Sequence, residues 1–386
     1  MNEYSQIKHL TREDIIKNGS IFTPDILVNL VFDYVSPYIN SKSVIGDFGC
    51  GYGAFINIFR KLNLPCFGTE MDNLSYKFLL NEFPTIKFYH ENSLININRK
   101  KYNLKYSDEL IIIGNPPYND TTSIFKKSNK GNIIADNDVL SRDLGVSFLK
   151  AYDKLEAKII CVLHPLSYLI KKRNFTSLGN FNNNYKLINA TIFSSKLFQS
   201  ITKSNSDFPV VAALYEKSSE GMNYEYIQNF SFNILNSDKK FILNKIQTID
   251  GHIQKYPIKN NTNDGLKFYT IRDINALLRN TSFLEGNVPN GIDVTIDNLY
   301  HYAWLYFFKT NYKKTNNHFL YGNLTPFYTS KIEDAEFKLA LVSYAYNNNI
   351  LIKKYFSKDK IKISYGEIHS SYDILFEEFS KIYVFN

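Results

Sequence analysis

The stretch Val44-Ile-Gly-Asp47-Phe-Gly49-Cys-Gly51-Tyr-Gly-Ala-Phe55 is the strongest indication of fold class in this 386-residue chain. Its first residues are apolar enough for a buried strand, glycines then follow at every second position, and an apolar helix pattern begins after them. A strand that runs through a glycine turn into a helix is typical of a nucleotide-type ligand site in an open α/β sheet, because glycines let the backbone approach the ligand closely.

Short apolar runs alternate with helical patterns outward from this turn, through the first 220 residues. This alternation predicts an α/β domain with a mostly parallel sheet covered by helices on both faces. Six strands are predicted, at Val44–Phe48, Cys66–Met71, Ile86–Tyr89, Leu110–Ile113, Lys158–Leu163 and Val210–Tyr215. The clearest helix is predicted at Asp143–Leu155, and the polar stretch 119–142 before it predicts a long loop.

The glycine turn alone does not choose its cofactor. Gly49, Gly51 and Ala54 satisfy the dinucleotide-binding fingerprint, and Glu70 follows at about the distance expected of a ribose-binding carboxylate. Asp47 favours S-adenosylmethionine, because a carboxylate suits the ammonium group of a methionine moiety and fits poorly beside a pyrophosphate.

A second motif lies at Ile111-Ile-Ile-Gly114-Asn115-Pro116-Pro117-Tyr118. Here a buried strand ends in two prolines, which stop strand pairing and fix the backbone at the carboxyl end of the strand, where α/β sites lie. The order of strands and helices between the two motifs predicts that folding brings them together.

With this tetrapeptide, the chain resembles the Asn-Pro-Pro-Tyr amino methyltransferases, and its segment order is similar to the gamma class of adenine-N6 DNA methyltransferases of restriction-modification systems. The resemblance covers about residues 19 to 217. It implies a Rossmann-like S-adenosylmethionine-dependent methyltransferase domain with a mostly parallel seven-stranded sheet at residues 1–220. It also implies an α+β target-recognition domain at residues 221–386.

The resemblance also implies roles for single residues. Thr23 and Pro24 correspond to a Thr-Pro pair that contacts the methionine end of the cofactor. The cofactor-binding residues implied by the remaining motifs are Asp47, Gly49, Gly51, Glu70 and Asn92. Asn92 departs from the Asp that the family usually has there, although an amide oxygen can still accept a hydrogen bond from the cofactor's adenine amine. If the alignment is shifted by one residue, Glu91 takes this role.

The chemistry explains the composition of the tetrapeptide, since adenine's amine is a poor nucleophile whose lone pair is delocalised into the ring. The Asn115 side-chain oxygen and the Pro116 carbonyl can accept both amine protons and turn the lone pair toward the sulfonium methyl. Tyr118 would stack on a base flipped out of the duplex. Phe208 is the candidate for a second stacking aromatic and Phe198 a weaker one, and a core role for Phe208 is equally open.

Composition adds little to the motifs. The net charge of +8 favours a polyanionic partner, and double-stranded DNA is the partner that the resemblance implies. The cysteines Cys50, Cys66 and Cys161 are odd in number and far apart, and we expect reduced thiols in a cytoplasmic, nucleoid-associated protein. No metal-binding spacing is recognised and no membrane segment is expected, so the sequence predicts neither a metal site nor a membrane partner.

Regular alternation fades after about residue 220, and the sequence points to no single base-reading residue in 221–386. Lys126, Lys127 and Lys130 are either a solvated loop face or phosphate contacts. His164 is expected to be a strand-end histidine outside the site. No nuclease constellation is recognised, which leaves a separate cognate restriction endonuclease open as a partner.

Three alternatives stay open at this point. Asn-Pro-Pro-Tyr also occurs in methyltransferases that act on RNA amines and on a glutamine amide of release factors, because both substrates present a conjugated nitrogen. From a different class comes a non-catalytic nucleic-acid-binding subunit that keeps the fold. Cytosine-N4 enzymes usually begin the tetrapeptide with Ser, so Asn115 favours adenine.

Overall fold

The computed structural model describes residues 23–118, 135–198, 208–258, 264–314 and 322–383. Two compact units divide the chain, Met1–Leu243 and Asn244–Asn386. Most of the loop predicted at 119–142, including Lys126, Lys127 and Lys130, lies outside the described residues.

The first unit is built on a nine-stranded sheet in the order β3-β2-β1-β4-β5-β7-β6-β8-β9. The strands are β1 (Ser43–Phe48), β2 (Cys66–Glu70), β3 (Lys87–His90), β4 (Glu109–Gly114), β5 (Ile159–Pro165), β6 (Tyr185–Ser194), β7 (Pro209–Lys217), β8 (Phe232–Ile234) and β9 (Ser237–Phe241). Strands β1 to β5 are parallel, and β7 runs antiparallel to both β5 and β6. The prediction of an α/β unit with a mostly parallel sheet is confirmed.

All six predicted strands are present, but the sheet has nine strands where seven were expected. Strand β6 carries Lys186, Asn189 and Thr191 among its apolar residues and has a register shift between Leu187 and Asn189, so it lacks a strand-like alternation in sequence. Strands β8 and β9 continue the sheet beyond Gly221, and the first compact unit therefore extends to Leu243 instead of residue 220.

Helices cover both faces of the sheet. In the first unit they are α1 (Asp25–Val35), α2 (Ala54–Phe59), α3 (Asn73–Glu82), α4 (Leu144–Lys154), α5 (Ser167–Ile170), α6 (Lys172–Ser177), α7 (Phe181–Asn184) and α8 (Tyr224–Asn229). On one face, α1 and α2 pack against β1, β4, β5 and β7 in a core cluster that includes Leu27, Phe55 and Ile113. Burying this apolar stripe holds α1, and with it the preceding Thr23-Pro24, against the sheet.

The second unit is α+β, as predicted. Strands β10 (Leu266–Tyr269), β11 (Phe283–Glu285) and β12 (Gly291–Asp293) form an antiparallel sheet in the order β11-β10-β12. The helices are α9 (Ile274–Arg279), α10 (Leu299–Asn311), α11 (Ala335–Asn348), α12 (Ile350–Tyr355), α13 (Lys358–Ser364) and α14 (Asp373–Tyr383). The indole of Trp304 on α10 is fully buried and donates to the Phe327 carbonyl at 2.8 Å. Over the described part of the chain, no helix has the length and apolar character needed to cross a bilayer.

Candidate active site

The two sequence motifs meet at the carboxyl edge of the parallel strands. In the pairing of β1 with β4, Asp47 lies opposite Ile113, so Gly114 comes one residue further along. A Cβ atom placed on Gly49 would lie 3.7 Å from the Pro117 Cδ atom. The glycine turn after β1 and the tetrapeptide after β4 are therefore neighbours, as predicted from the strand order.

The glycine turn is held by hydrogen bonds to β2. Gly49, Gly51 and Gly53 all have left-handed backbones, with φ of 77°, 56° and 76°. The Gly51 amide donates to Glu70 Oε2 at 2.8 Å. The Gly49 amide donates to Thr69 Oγ1 at 3.1 Å, and that hydroxyl also bonds Ser93 Oγ. The alternating left-handed residues make glycine the natural choice here.

The carboxylate of Glu70 is fixed at the end of β2. Its Oε1 accepts from the amides of Met71 and Asp72 at 2.8 and 2.7 Å, and its Oε2 accepts from Gly51. Burial raises the pKa of Glu70, while these backbone donors act in the opposite direction. The result is an acceptor group with a defined orientation beside the glycine turn.

Asp47 has the most unusual environment in the site. Its side chain is buried, and neither carboxylate oxygen has a hydrogen-bond partner among the described residues. Burial raises the pKa of Asp47 well above its usual value, and the charge of Glu70 adds to the increase. Because a buried carboxylate without a partner is costly, the geometry fits a cationic ligand that would supply the missing donors.

Gly114 lets the tetrapeptide approach this carboxylate. A Cβ atom on Gly114 would lie 2.7 Å from Asp47 Oδ1, and the residue has φ of 148°, a conformation that L side chains rarely adopt. Any larger residue at position 114 would displace either Asp47 or the backbone of Asn115. The residue before the tetrapeptide thus belongs to the site, a role that the sequence analysis did not assign to it.

The Asn115 side chain is oriented by the segment before α1. Its Nδ2 donates to Thr23 Oγ1 at 3.3 Å, and the Thr23 side chain is itself buried. The Asn115 Oδ1 atom is buried without a hydrogen-bond partner among the described residues. The amide donor is therefore engaged by the protein, and the amide oxygen is left as an acceptor. Pro116 is buried beside it.

Tyr118 lies half-buried at the end of the tetrapeptide. Its hydroxyl is buried, and no described residue hydrogen-bonds to it. Burial raises the pKa of Tyr118, and the charge of Asp143 contributes to the increase. Asp143 in turn accepts from the Tyr168 hydroxyl and from the Gly145 amide at the start of α4. The phenol is thus a neutral group at any ordinary pH.

The two candidates after β3 for contact with the cofactor's adenine are Asn92, which has an amide, and Glu91, whose carboxylate is engaged. Asn92 Oδ1 accepts from the Leu94 amide at 3.0 Å. Glu91 Oε1 accepts from the Tyr102 hydroxyl at 2.9 Å and forms an ion pair with Lys101 at the same distance. Both side chains are thus engaged within the protein, and Asn92 stays the predicted residue for contact with the cofactor's adenine amine, with Glu91 as the alternative.

The two candidates for a second stacking aromatic, Phe198 and Phe208, differ in burial. Phe198 is only 2% exposed and packs edge-on against Phe193, with ring centroids 5.9 Å apart. Phe208 is half-buried, packs against the same core cluster and exchanges hydrogen bonds with Ser195 at 3.0 Å. Phe208 therefore remains the predicted second stacking aromatic, whereas Phe198 has no free face to offer.

His164 at the end of β5 is a core residue. It is buried between the rings of Tyr168 and Tyr215, and its Nε2 atom lies 2.7 Å from the Tyr215 hydroxyl. Burial lowers the pKa of His164 to about 4, so the imidazole is neutral. The prediction that His164 is a satisfied strand-end histidine outside the site agrees with this packing.

The sequence analysis did not identify Thr69 and Ser93 as residues that support the site. Each is buried, and together with the Gly49 amide they join β2, the segment after β3 and the glycine turn in one hydrogen-bond chain. A small hydroxyl residue within a strand, such as Thr69, or shortly after one, such as Ser93, carries no recognisable pattern, so only the fold reveals the pair.

The strand order and the site together define a fold class. A parallel sheet in the order β3-β2-β1-β4-β5, followed by an antiparallel β7 between β5 and β6, is a Rossmann-like arrangement, as the sequence resemblance implied. The glycine turn lies after its first strand, and the tetrapeptide lies after its fourth.

Comparisons with known proteins give only distant similarities. No protein-family model matches the chain, and no curated protein sequence matches it. A candidate RNA methyltransferase of Pyrococcus horikoshii is 17% identical with a TM-score of 0.35, over 54% of this chain and 90% of that one. An S-adenosylmethionine-dependent methyltransferase of Anabaena variabilis is 11% identical with a TM-score of 0.35, over 54% and 92%.

Magnesium protoporphyrin IX methyltransferase of Synechocystis, solved with bound S-adenosylmethionine, is 10% identical with a TM-score of 0.32, over 50% of this chain and 79% of that one. At such low similarity, these structures say nothing about what this chain acts on. Activity and substrate have to be inferred from the site itself.

Proposed function

We propose that this protein is a DNA methyltransferase that transfers a methyl group from S-adenosylmethionine to the N6 amine of adenine in double-stranded DNA. The observation that carries the proposal is a pair of buried acceptors without described partners, the Asp47 carboxylate and Asn115 Oδ1, at one edge of the sheet. The Asp47 carboxylate suits the ammonium group of the cofactor, and Asn115 Oδ1 suits the amine of the substrate.

The residues at this edge fit S-adenosylmethionine. Asp47 would accept from the methionine ammonium, and the fixed carboxylate of Glu70 would accept from the ribose hydroxyls. Asn92, which follows β3, would accept a hydrogen bond from the adenine amine of the cofactor. The glycine turn at Gly49 and Gly51 leaves room for the cofactor to approach the backbone closely. Thr23, whose hydroxyl accepts from Asn115, and Pro24 would lie at the methionine end of the cofactor.

The tetrapeptide can activate an amine without a general base. Asn115 Oδ1 and the Pro116 carbonyl would accept both amine protons, which localises the lone pair on nitrogen. The bound cofactor supplies an electrophilic methyl group on a sulfonium. Methyl transfer would form the N–C bond as the S–C bond breaks, with its electron pair left on sulfur, and the amine would release one proton to solvent. Tyr118 and Phe208 would hold the base by stacking.

Several features support DNA as the substrate. An amine inside a duplex reaches such a pocket only after its base is flipped out of the stack, and an adenine stacked on Tyr118 would satisfy Asn115. The second unit, Asn244–Asn386, is large enough to read a target sequence, and the net charge of +8 suits a polyanion. A cytoplasmic, nucleoid-associated location and a separate cognate restriction endonuclease belong to the same proposal.

The substrate class can be tested with purified protein and S-adenosylmethionine labelled in its methyl group. The proposal predicts label in mixed-sequence duplex DNA and its release as N6-methyladenine after hydrolysis. Label in RNA or in a release-factor glutamine, with unlabelled DNA, would favour the corresponding alternative enzyme. Binding of DNA without labelling of any substrate would favour the non-catalytic subunit.

A further inference from the structure

Three side chains that are far apart in sequence meet in the second unit. One ligand atom from each of His252, His301 and Glu333 lies within 4.8 Å of the others. His252 follows the turn Ile249–Gly251, His301 is on the first turn of α10, and Glu333 ends the turn Ser330–Glu333. Their wide separation in the chain explains why no metal-binding spacing was recognised in the sequence.

The distances suit a small transition metal ion. Zinc bonds to nitrogen and to carboxylate oxygen at about 2.0–2.2 Å, so two ligands of a tetrahedral site lie about 3.4 Å apart. His301 Nε2 and Glu333 Oε1 are separated by 3.4 Å. We propose that His252, His301 and Glu333 bind one Zn²⁺ ion, with a water molecule in the fourth position. The His252 ligand atom lies within 4.8 Å of the other two and would move closer to them when the ion binds.

The surroundings orient the proposed ligands. The second oxygen of Glu333 accepts from the Tyr300 hydroxyl at 3.2 Å and from Lys338 Nζ at 2.8 Å, and Oε1 is left to face His301. The His252 ring is stacked on Tyr328 with centroids 3.8 Å apart and an interplanar angle of 5°. Hydrogen bonds to a ligating carboxylate, such as those to Glu333, orient it toward the ion and raise affinity.

Bound zinc would tie three segments of the second unit together. Helix α10 and the turn that ends at Glu333 are joined here by hydrogen bonds from Tyr300 and His301 to Glu333, and the His252 ring lies beside that of His301, with centroids 5.9 Å apart. Because His252 and Glu333 are exposed, the ion can enter from solvent without unfolding of the unit. Binding to the folded state alone also raises the midpoint of thermal unfolding.

The test uses the full-length protein without a histidine tag, stripped with a chelator and titrated with Zn²⁺ by calorimetry. Co²⁺ serves as a spectroscopic probe of four-coordinate geometry. We expect one Zn²⁺ per chain, d–d absorption bands of tetrahedral Co²⁺, and a weakening of at least about tenfold in His252→Ala and in Glu333→Gln. Circular dichroism verifies that both variants are folded.

His369→Ala is the matched control, because His369 lies in the same unit outside the cluster. Its Zn²⁺ affinity should equal that of the wild type. The proposal is overturned if the wild type takes up no stoichiometric zinc, or if His252→Ala binds zinc as tightly as the wild type. The same holds if His369→Ala loses as much affinity as the cluster variants. None of these readouts depends on methyl transfer.

Discussion

Asp47 and Asn115 each bury an acceptor oxygen that has no partner among the described residues. An unsatisfied neutral group in a protein interior costs about 1–3 kcal/mol, and a charged group costs more. Two such groups at one sheet edge, in two different motifs, are expected where a ligand supplies the donors. The two residues that lower the free energy of unfolding in this way are therefore the ones proposed to bind the cofactor and the substrate amine.

The ligand-free protein should lose stability through Asp47 as the pH rises. The folded state raises the pKa of this carboxyl above its usual 3.8, so the stabilising proton is fully bound below that value and is lost as pH rises through the folded pKa. We expect the free energy of unfolding of Asp47→Asn, relative to wild type, to increase as the pH rises above 3.8. Urea unfolding at several pH values measures this difference.

The exposed Asp238 on β9 provides a control, since Asp238→Asn removes a carboxylate that is in water in the folded state. This variant controls for the loss of one carboxylate charge at a site away from the glycine turn. A pH-independent difference for Asp47→Asn would show that the buried carboxyl does not titrate as described.

Gly114→Ala should be destabilising because of both space and conformation. The new Cβ would lie 2.7 Å from Asp47 Oδ1, at a φ of 148°. We expect the free energy of unfolding to fall by about 1–3 kcal/mol, with weaker binding of S-adenosylmethionine. Urea unfolding and calorimetry test the two effects.

Gly265→Ala is the comparison variant, since no atom lies within 4 Å of a Cβ there and the backbone is not left-handed. Its stability should stay unchanged or rise by about 0.4–1 kcal/mol. Equal stability of Gly114→Ala and wild type would contradict the described contact.

The sequence predicted the motif residues of the site but not the residues that support them. Asp47, Glu70 and Asn115 belong to patterns with a chemical reason, so they were recognisable. The hydroxyls of Thr69 and Ser93 act through contacts between distant segments, which no local pattern records.

Among the elements, α4 connects the fold to the tetrapeptide. Asp143 caps its first turn by accepting from the Gly145 amide at 2.9 Å, and it also accepts from the Tyr168 hydroxyl. The helix was predicted at Asp143–Leu155 and is observed at Leu144–Lys154, since its apolar face has a clear helical period. Short strands such as β8 lack enough residues for any period to be visible.

Removing the cap should destabilise the first unit. Asp143→Ala loses both acceptor bonds, and we expect the free energy of unfolding to fall by about 1–2 kcal/mol. Asp143→Asn keeps an acceptor oxygen at the cap and should lose less than half as much. Chemical denaturation of the two variants measures the difference. If Asn proves as costly as Ala, capping is not the source of the stability.

For the whole molecule, the boundary between the units predicts different stabilities for two truncated fragments. A fragment 1–243 retains β8 and β9, whereas a fragment 1–220 loses them and leaves β6 as an exposed edge. The lost strands bury Phe232, Ile234 and Phe241, each worth about 1.5–3 kcal/mol. That loss is comparable to the whole stability of a domain.

We therefore expect fragment 1–243 to unfold cooperatively and fragment 1–220 to be aggregated or unfolded, as measured by thermal circular dichroism and gel filtration. The sequence placed the boundary at 220 because polar residues interrupt the apolar pattern there. Equal stability of the two fragments would mean that β8 and β9 contribute nothing to the first unit.

The most direct test of the proposed activity compares the wild type with Asn115→Ala in a host that lacks adenine methylation. Single-molecule sequencing of the host DNA detects modified bases. We predict N6-methyladenine at one short motif with the wild type, and a loss of at least about a hundredfold in the variant, since the acceptor for the amine proton is gone. Unmodified DNA in cells that contain folded wild-type protein would contradict the account, as would equal methylation by the variant.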